Sequence, residues 1–131
     1  TYPAKSEFFM PLTAKKAGLL LRSLEFRVKG YMPGKMRTVL RKYGTTTALA
    51  DKSIDLVRGY NDVVLDMGSI ALEKGVEYQL YFAAANNFYP PSVEAGWVEE
   101  NDFIDIAHGS AYYDGDTTLI FAGTVVLREA D

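Results

Sequence analysis

The chain has 131 residues, no cysteine, a single histidine and a formal net charge of −3. That length suits one domain with one core, and the lack of cysteine removes disulfide frameworks, thiolate metal sites and cysteine nucleophiles. No run of about 18 apolar residues occurs, so no segment is expected to insert in a membrane as a spanning helix.

Charge is divided along the sequence: twelve of the fourteen Lys and Arg fall within residues 1–58, and thirteen of the seventeen acids within 59–131. Two such halves either form separate fields or pair strand against strand, and pairing is the simpler expectation. Most of the clustered aromatics lie in the acidic half, which argues against a nucleic-acid surface.

Residues 1–16 read as irregular except for a short edge strand, Glu7-Phe8-Phe9-Met10, closed by Pro11. From Gly18 to Lys29 the pattern has period two, with Leu20, Leu24, Phe26 and Val28 on one side and Ser23, Glu25, Arg27 and Lys29 on the other. Gly30-Tyr31-Met32-Pro33-Gly34 is turn chemistry, and an extended pattern resumes over residues 36–43. Residues 18–43 therefore predict two antiparallel strands joined by a tight loop. A short strand follows over 53–57, then the Arg58-Gly59-Tyr60-Asn61-Asp62 turn and a strand over 63–67.

Lys74-Gly75 reads as a two-residue turn into a strand over 76–84, whose apolar face is Val76, Tyr78, Leu80, Phe82 and Ala84, with Tyr81 facing outward. A long loop over 86–102, a short strand over 103–106, an Asp114-Gly115-Asp116 hairpin turn and a long final strand over 117–127 complete the chain. About eight strands, with no apolar 3.6-residue period sustained for three turns, predict an all-β, antiparallel two-sheet β-sandwich of jelly-roll type, a single domain over 1–131.

Chemistry is sparse. Glu94, Glu99, Glu100, Asp102 and Asp105 supply acids near Trp97, but no two have the placement that a glycosidase requires, and a solvated acidic loop accounts for them. His108 lacks a nucleophile elbow and reads as a turn residue; Asp114 and Asp116 could ligate calcium but lack the spacing of a full loop. No cofactor, metal site or catalytic set is assigned, and the chain is not expected to be an enzyme. Aromatics make a better case: sugar C–H faces stack on exposed rings while amides and carboxylates bind hydroxyls. Asn86, Asn87, Tyr89, Trp97 and Tyr113 offer that mixture, with Tyr81 as a further platform. Arg22, Arg27, Lys29, Lys35, Arg37 and Arg41 form a rival basic face that could hold a phosphate-rich polymer.

The succession Leu24-Glu25-Phe26-Arg27-Val28, Met36-Arg37-Thr38-Val39-Leu40, Ser53-Ile54-Asp55-Leu56, Gly59-Tyr60-Asn61 and Lys74-Gly75-Val76-Glu77-Tyr78-Gln79-Leu80 resembles jelly-roll carbohydrate-binding modules. Such modules occur on secreted glycan-active enzymes and on bacteriophage baseplate and tail proteins. The resemblance spans residues 18–127 and implies a non-catalytic module for cell-surface or cell-wall saccharide, located outside the cell or on a virion surface. Its expected partners are a saccharide and the proteins of a larger assembly. The alternative is a structural or protein-interaction domain of a phage baseplate or tail.

Overall fold

A computed structural model describes residues 5–89, 92–94, 103–105, 119–121 and 123–129. The strands are β1 (Lys5–Ala14), β2 (Leu19–Gly30), β3 (Gly34–Lys42), β4 (Ala50–Leu56), β5 (Gly59–Leu72), β6 (Glu77–Tyr89), β7 (Ser92–Glu94), β8 (Ile104–Asp105), β9 (Leu119–Phe121) and β10 (Gly123–Glu129). The described residues contain no helix.

The pairing is nested. β3 and β4 form the innermost hairpin, with Leu40 opposite Ala50 and Gly34 opposite Leu56. Outside it β2 pairs with β5 from Gly30 opposite Gly59 to Leu19 opposite Leu72. Outside that β1 pairs with β6, from Thr13 opposite Glu77 to Lys5 opposite Phe88. One long hairpin is thus rolled up, which is jelly-roll connectivity. Because β3 also pairs along β6, the roll flattens into a five-stranded sheet, β4-β3-β6-β1-β8, and a three-stranded sheet, β10-β2-β5. The sheets join at one corner, where Lys29 and Gly30 of β2 pair with Tyr89 and Phe88 of β6. β7 and β9 form a separate two-stranded ribbon.

Alternation fills the space between the layers. Tyr78, Leu80 and Phe82 of β6 are fully buried, as are Met10 and Leu12 of β1, Met36 and Leu40 of β3, and Leu21 and Leu24 of β2. Phe26 of the smaller sheet meets Phe82 of the larger edge to face, with centroids 5.5 Å apart at 83°. Each such ring contributes about 1.5–3 kcal/mol by burial, with the contact adding to that. Tyr78 keeps its polar end satisfied: its hydroxyl accepts the Glu73 N–H at 2.8 Å.

Several sequence expectations are corrected. β1 does not stop at Pro11 but continues to Ala14, with Pro11 opposite Gln79 of β6. Among the described residues its other neighbour, β8, reaches only Thr13 and Ala14, so the missing proline N–H has an open strand side available. β2 and β3 are not a hairpin: residues 31–33 cross from one sheet to the other. Period two identifies a strand but does not name its sheet.

The inward face of β2 is Leu19, Leu21, Leu24, Phe26 and Val28, so Leu20 is only half-buried. A bulge at Arg22 shifts the phase, and β5 shifts with it: Val63, Leu65 and Met67 point inward before Gly68, Leu72 after it. Gly68 takes φ 73°, and its N–H donates to Asp66 Oδ1 at 2.8 Å. That left-handed residue lets β5 run on past Met67, where period two alone breaks. The link from β5 to β6 is longer than two residues, with Gly75 N–H donating to Ala14 O at 2.9 Å. The expected final strand is two strands with different partners, β9 on β7 and β10 on β2.

The charge division resolves partly into ion pairs. Arg27–Asp62, Lys42–Glu73 and Lys16–Glu129 join the basic half to the acidic half. Lys35–Asp55 and Arg37–Asp51 lie within the basic half. All five are exposed and individually contribute little, because solvent and salt screen them.

Candidate functional site

At the corner where the sheets join, two turns enclose a groove of about 530 Å³, a size suited to a small ligand. Lys29, Gly30, Tyr31, Met32 and Pro33 form one side, and Arg58 with Gly59 the other. The first turn crosses between sheets, so its central side chains have no core to enter. Tyr31 is 60% exposed and Met32 54%.

The second turn is held by one side chain. Asn61 Oδ1 accepts the Val57 N–H at 2.9 Å, and Asn61 Nδ2 donates to Val57 O at 3.0 Å, Gly59 O at 3.0 Å and Val28 O at 3.4 Å. Two amide protons shared among three carbonyls tie the turn to itself and to β2. Gly59 takes φ 97°, a conformation that suits glycine. Gly30 sets the closeness of the two turns: a Cβ there would stand 2.6 Å from Val57 O. The groove walls are therefore fixed by backbone contacts.

Tyr60 stands beside the groove on the outer face of the smaller sheet, 67% exposed and directly opposite Lys29. Lys29 Nζ is 5.4 Å from its ring centroid and the Arg27 guanidinium carbon 5.6 Å. Such cation–ring contacts limit where the ring can swing.

Nearby acids are engaged. Arg27 Nε donates to Asp62 Oδ1 at 2.8 Å and Nη2 to Oδ2 at 3.4 Å. That hydrogen bond and the guanidinium charge hold the Asp62 carboxyl below its usual range. The same hydrogen bond and the Asp62 charge raise the Arg27 guanidinium. Lys35 Nζ donates to Asp55 Oδ1 at 3.1 Å. Arg58 forms no hydrogen bond or ion pair among the described residues and lines the groove without an acid beside it in the lining.

Of the residues expected from sequence, Trp97 and Tyr113 lie outside the described residues, as do His108, Asp114 and Asp116. Asn86, Asn87 and Tyr89 belong not to a loop, as the sequence suggests, but to β6, which extends to Tyr89. Past Ala84, where its pairing with β3 ends, the strand turns the corner and reaches β2, Tyr89 pairing with Lys29 of the groove. Backbone pairing thus brings that strand end to the groove.

Tyr81 lies mid-strand on the outer face of the larger sheet, half-buried, its ring 4.7 Å from that of Phe9. The neighbouring Arg41 donates from Nε and Nη2 to Gln79 Oε1 at 3.0 and 2.8 Å. Arg37 grips Asp51 with two hydrogen bonds, at 2.8 and 2.6 Å. The rival basic face is therefore largely committed to partners within the sheets. No group of three or more His, Cys, Asp or Glu suited to a metal ion occurs among the described residues.

The sequence marks Tyr31, Arg58 and Tyr60 as turn residues only, whereas residues 59–62 of the expected turn pair with β2 as the start of β5. The available signal was an aromatic between turn-forming residues, in Gly30-Tyr31-Met32-Pro33-Gly34 and Gly59-Tyr60-Asn61, where a ring has no sheet interior to enter. No protein-family model, curated protein or solved structure matches this chain.

Proposed function

We propose that this domain is a non-catalytic carbohydrate-binding module, acting at a cell surface or virion surface as part of a larger protein. The supporting observation is the corner groove: Tyr31 is exposed at its wall on the crossing turn and Tyr60 at its rim at the start of β5, where Asn61 and Gly30 fix the backbone. Saccharide binding requires a ring held open to solvent before the ligand arrives, because ordering it on binding costs affinity. Tyr89 at the end of β6 pairs with Lys29 of this groove, Asn86 and Asn87 precede it on the same strand, and Trp97 and Tyr113 enter the proposal from the sequence.

A glycan array followed by calorimetric titration tests the reading. Binding is expected for at least one saccharide class, weakened about tenfold or more in Tyr31→Ala, the equivalent of 1.4 kcal/mol. No saccharide bound, or unchanged affinity in both Tyr31→Ala and Tyr60→Ala, defeats it.

A second reading, a protein-interaction domain of an assembly such as a phage tail or baseplate, is favoured by Met32 and Val57. Both are apolar and more than half exposed, in the two turns that meet at the groove. A stable complex with an assembly partner in light scattering, lost in Met32→Glu, would support it over saccharide binding.

A further inference from the structure

We infer that the corner groove selects acidic saccharides, seating an anionic substituent between Arg58 and Lys29 while Tyr31 packs on the sugar ring; this rests on the carbohydrate-binding reading above. Among the described residues the groove lining contains two cations, Lys29 and Arg58, and no carboxylate. That is notable in a chain of net charge −3, whose acids exceed its bases.

The acids close in sequence to the two turns are turned to other partners. Asp62 is held by Arg27 and Asp55 by Lys35. Arg58 has no competing carboxylate among the described residues and projects from a turn whose backbone Asn61 immobilises. A guanidinium can bind carboxylate, sulfate or phosphate through two parallel hydrogen bonds, so the shared chemistry is an oxyanion carried on a sugar. Lys29 adds a point charge from the opposite wall, anchored near the Tyr60 ring. The neutral parts of the ligand then fall against Tyr31.

The test is calorimetric titration of the full chain with oligogalacturonate, its neutral methyl ester, a sulfated oligosaccharide, and inorganic phosphate alone. Oligogalacturonate or the sulfated oligosaccharide is expected to bind at least about tenfold more tightly than the ester, a difference of 1.4 kcal/mol. That preference should shrink with added salt and disappear in Arg58→Gln, whose exposed position leaves folding intact by circular dichroism. Preference for only one of the two acidic ligands identifies the anion and upholds the proposal. Tight binding of the neutral ester, an acidic preference retained in Arg58→Gln, or phosphate alone binding as tightly as the acidic saccharides overturns selectivity while leaving saccharide recognition standing. Absence of binding to any saccharide overturns both.

Discussion

Asn61 treats Val57 as a strand neighbour: its side-chain amide accepts the Val57 N–H at 2.9 Å and donates to the Val57 carbonyl at 3.0 Å, closing a ring that backbone pairing would otherwise have to supply. This pair fixes the turn carrying Arg58 and the start of β5 that carries Tyr60. Asn61→Ala is expected to cost about 1–3 kcal/mol, because it strands polar backbone groups as well as losing the bonds. Urea denaturation gives the total. Hydrogen exchange should show protection lost first at the Val57 amide.

Gly30 tests the closeness of the two turns. In Gly30→Ala the new methyl must displace the Val57 carbonyl from 2.6 Å, and the expected destabilisation is about 1–3 kcal/mol. Thermal unfolding measures it. A neutral result would show that the β2 and β5 ends part easily.

Thr38 is fully buried on β3, and among the described residues its hydroxyl has no hydrogen-bond partner. Thr38→Val keeps the shape and removes the stranded oxygen, so stability should rise by about 1 kcal/mol. Thr38→Ser keeps the oxygen and removes a methyl, and should fall by a similar amount. Opposite signs in chemical denaturation distinguish an unpaired hydroxyl from one with a hidden partner.

The Asp51 and Asp62 carboxyls are held below the usual aspartate range, by Arg37 and Arg27 respectively, chiefly through side-chain hydrogen bonds. A depressed carboxyl stabilises the fold above the usual range, and that contribution is lost as pH falls through the folded value. Carboxyl-detected NMR titration should place both midpoints low. Arg27→Gln should raise that of Asp62 and leave that of Asp51 in place.

Tyr81 lies against Phe9, so its loss should be felt in stability. Tyr81→Ala is expected to lower stability by about 1–3 kcal/mol, less than a fully buried ring because Tyr81 is half-buried. Saccharide affinity of the folded fraction should stay within twofold, read by titration well below the melting temperature.

The strand faces were legible because each strand follows period two for most of its length: Tyr78, Leu80 and Phe82 could be assigned inward from sequence, and are buried. The misreadings occur where that period is interrupted. A bulge at Arg22 and the left-handed Gly68 shift the phase of β2 and β5, and Pro11 has an open strand side that local sequence does not reveal. The groove was harder to see because Tyr31 and Arg58 are distant in sequence and meet only after two sheets join. Its stabilising contact, from Asn61, was visible as a residue and invisible as four hydrogen bonds.

The nested pairing also has a consequence for how the chain assembles. Lys5 and Phe88 are far apart along the chain, yet they need not search for each other across that distance. Once β3 and β4 have zipped, the ends of β2 and β5 are separated only by two short turns, and their closure in turn delivers β1 to β6. Each step closes a small effective loop, and closure entropy grows with the loop that remains open. Folding is therefore expected to radiate from the turn between Lys42 and Ala50. Substitutions in the inner hairpin should change the folding rate, and those in β1 mainly the unfolding rate.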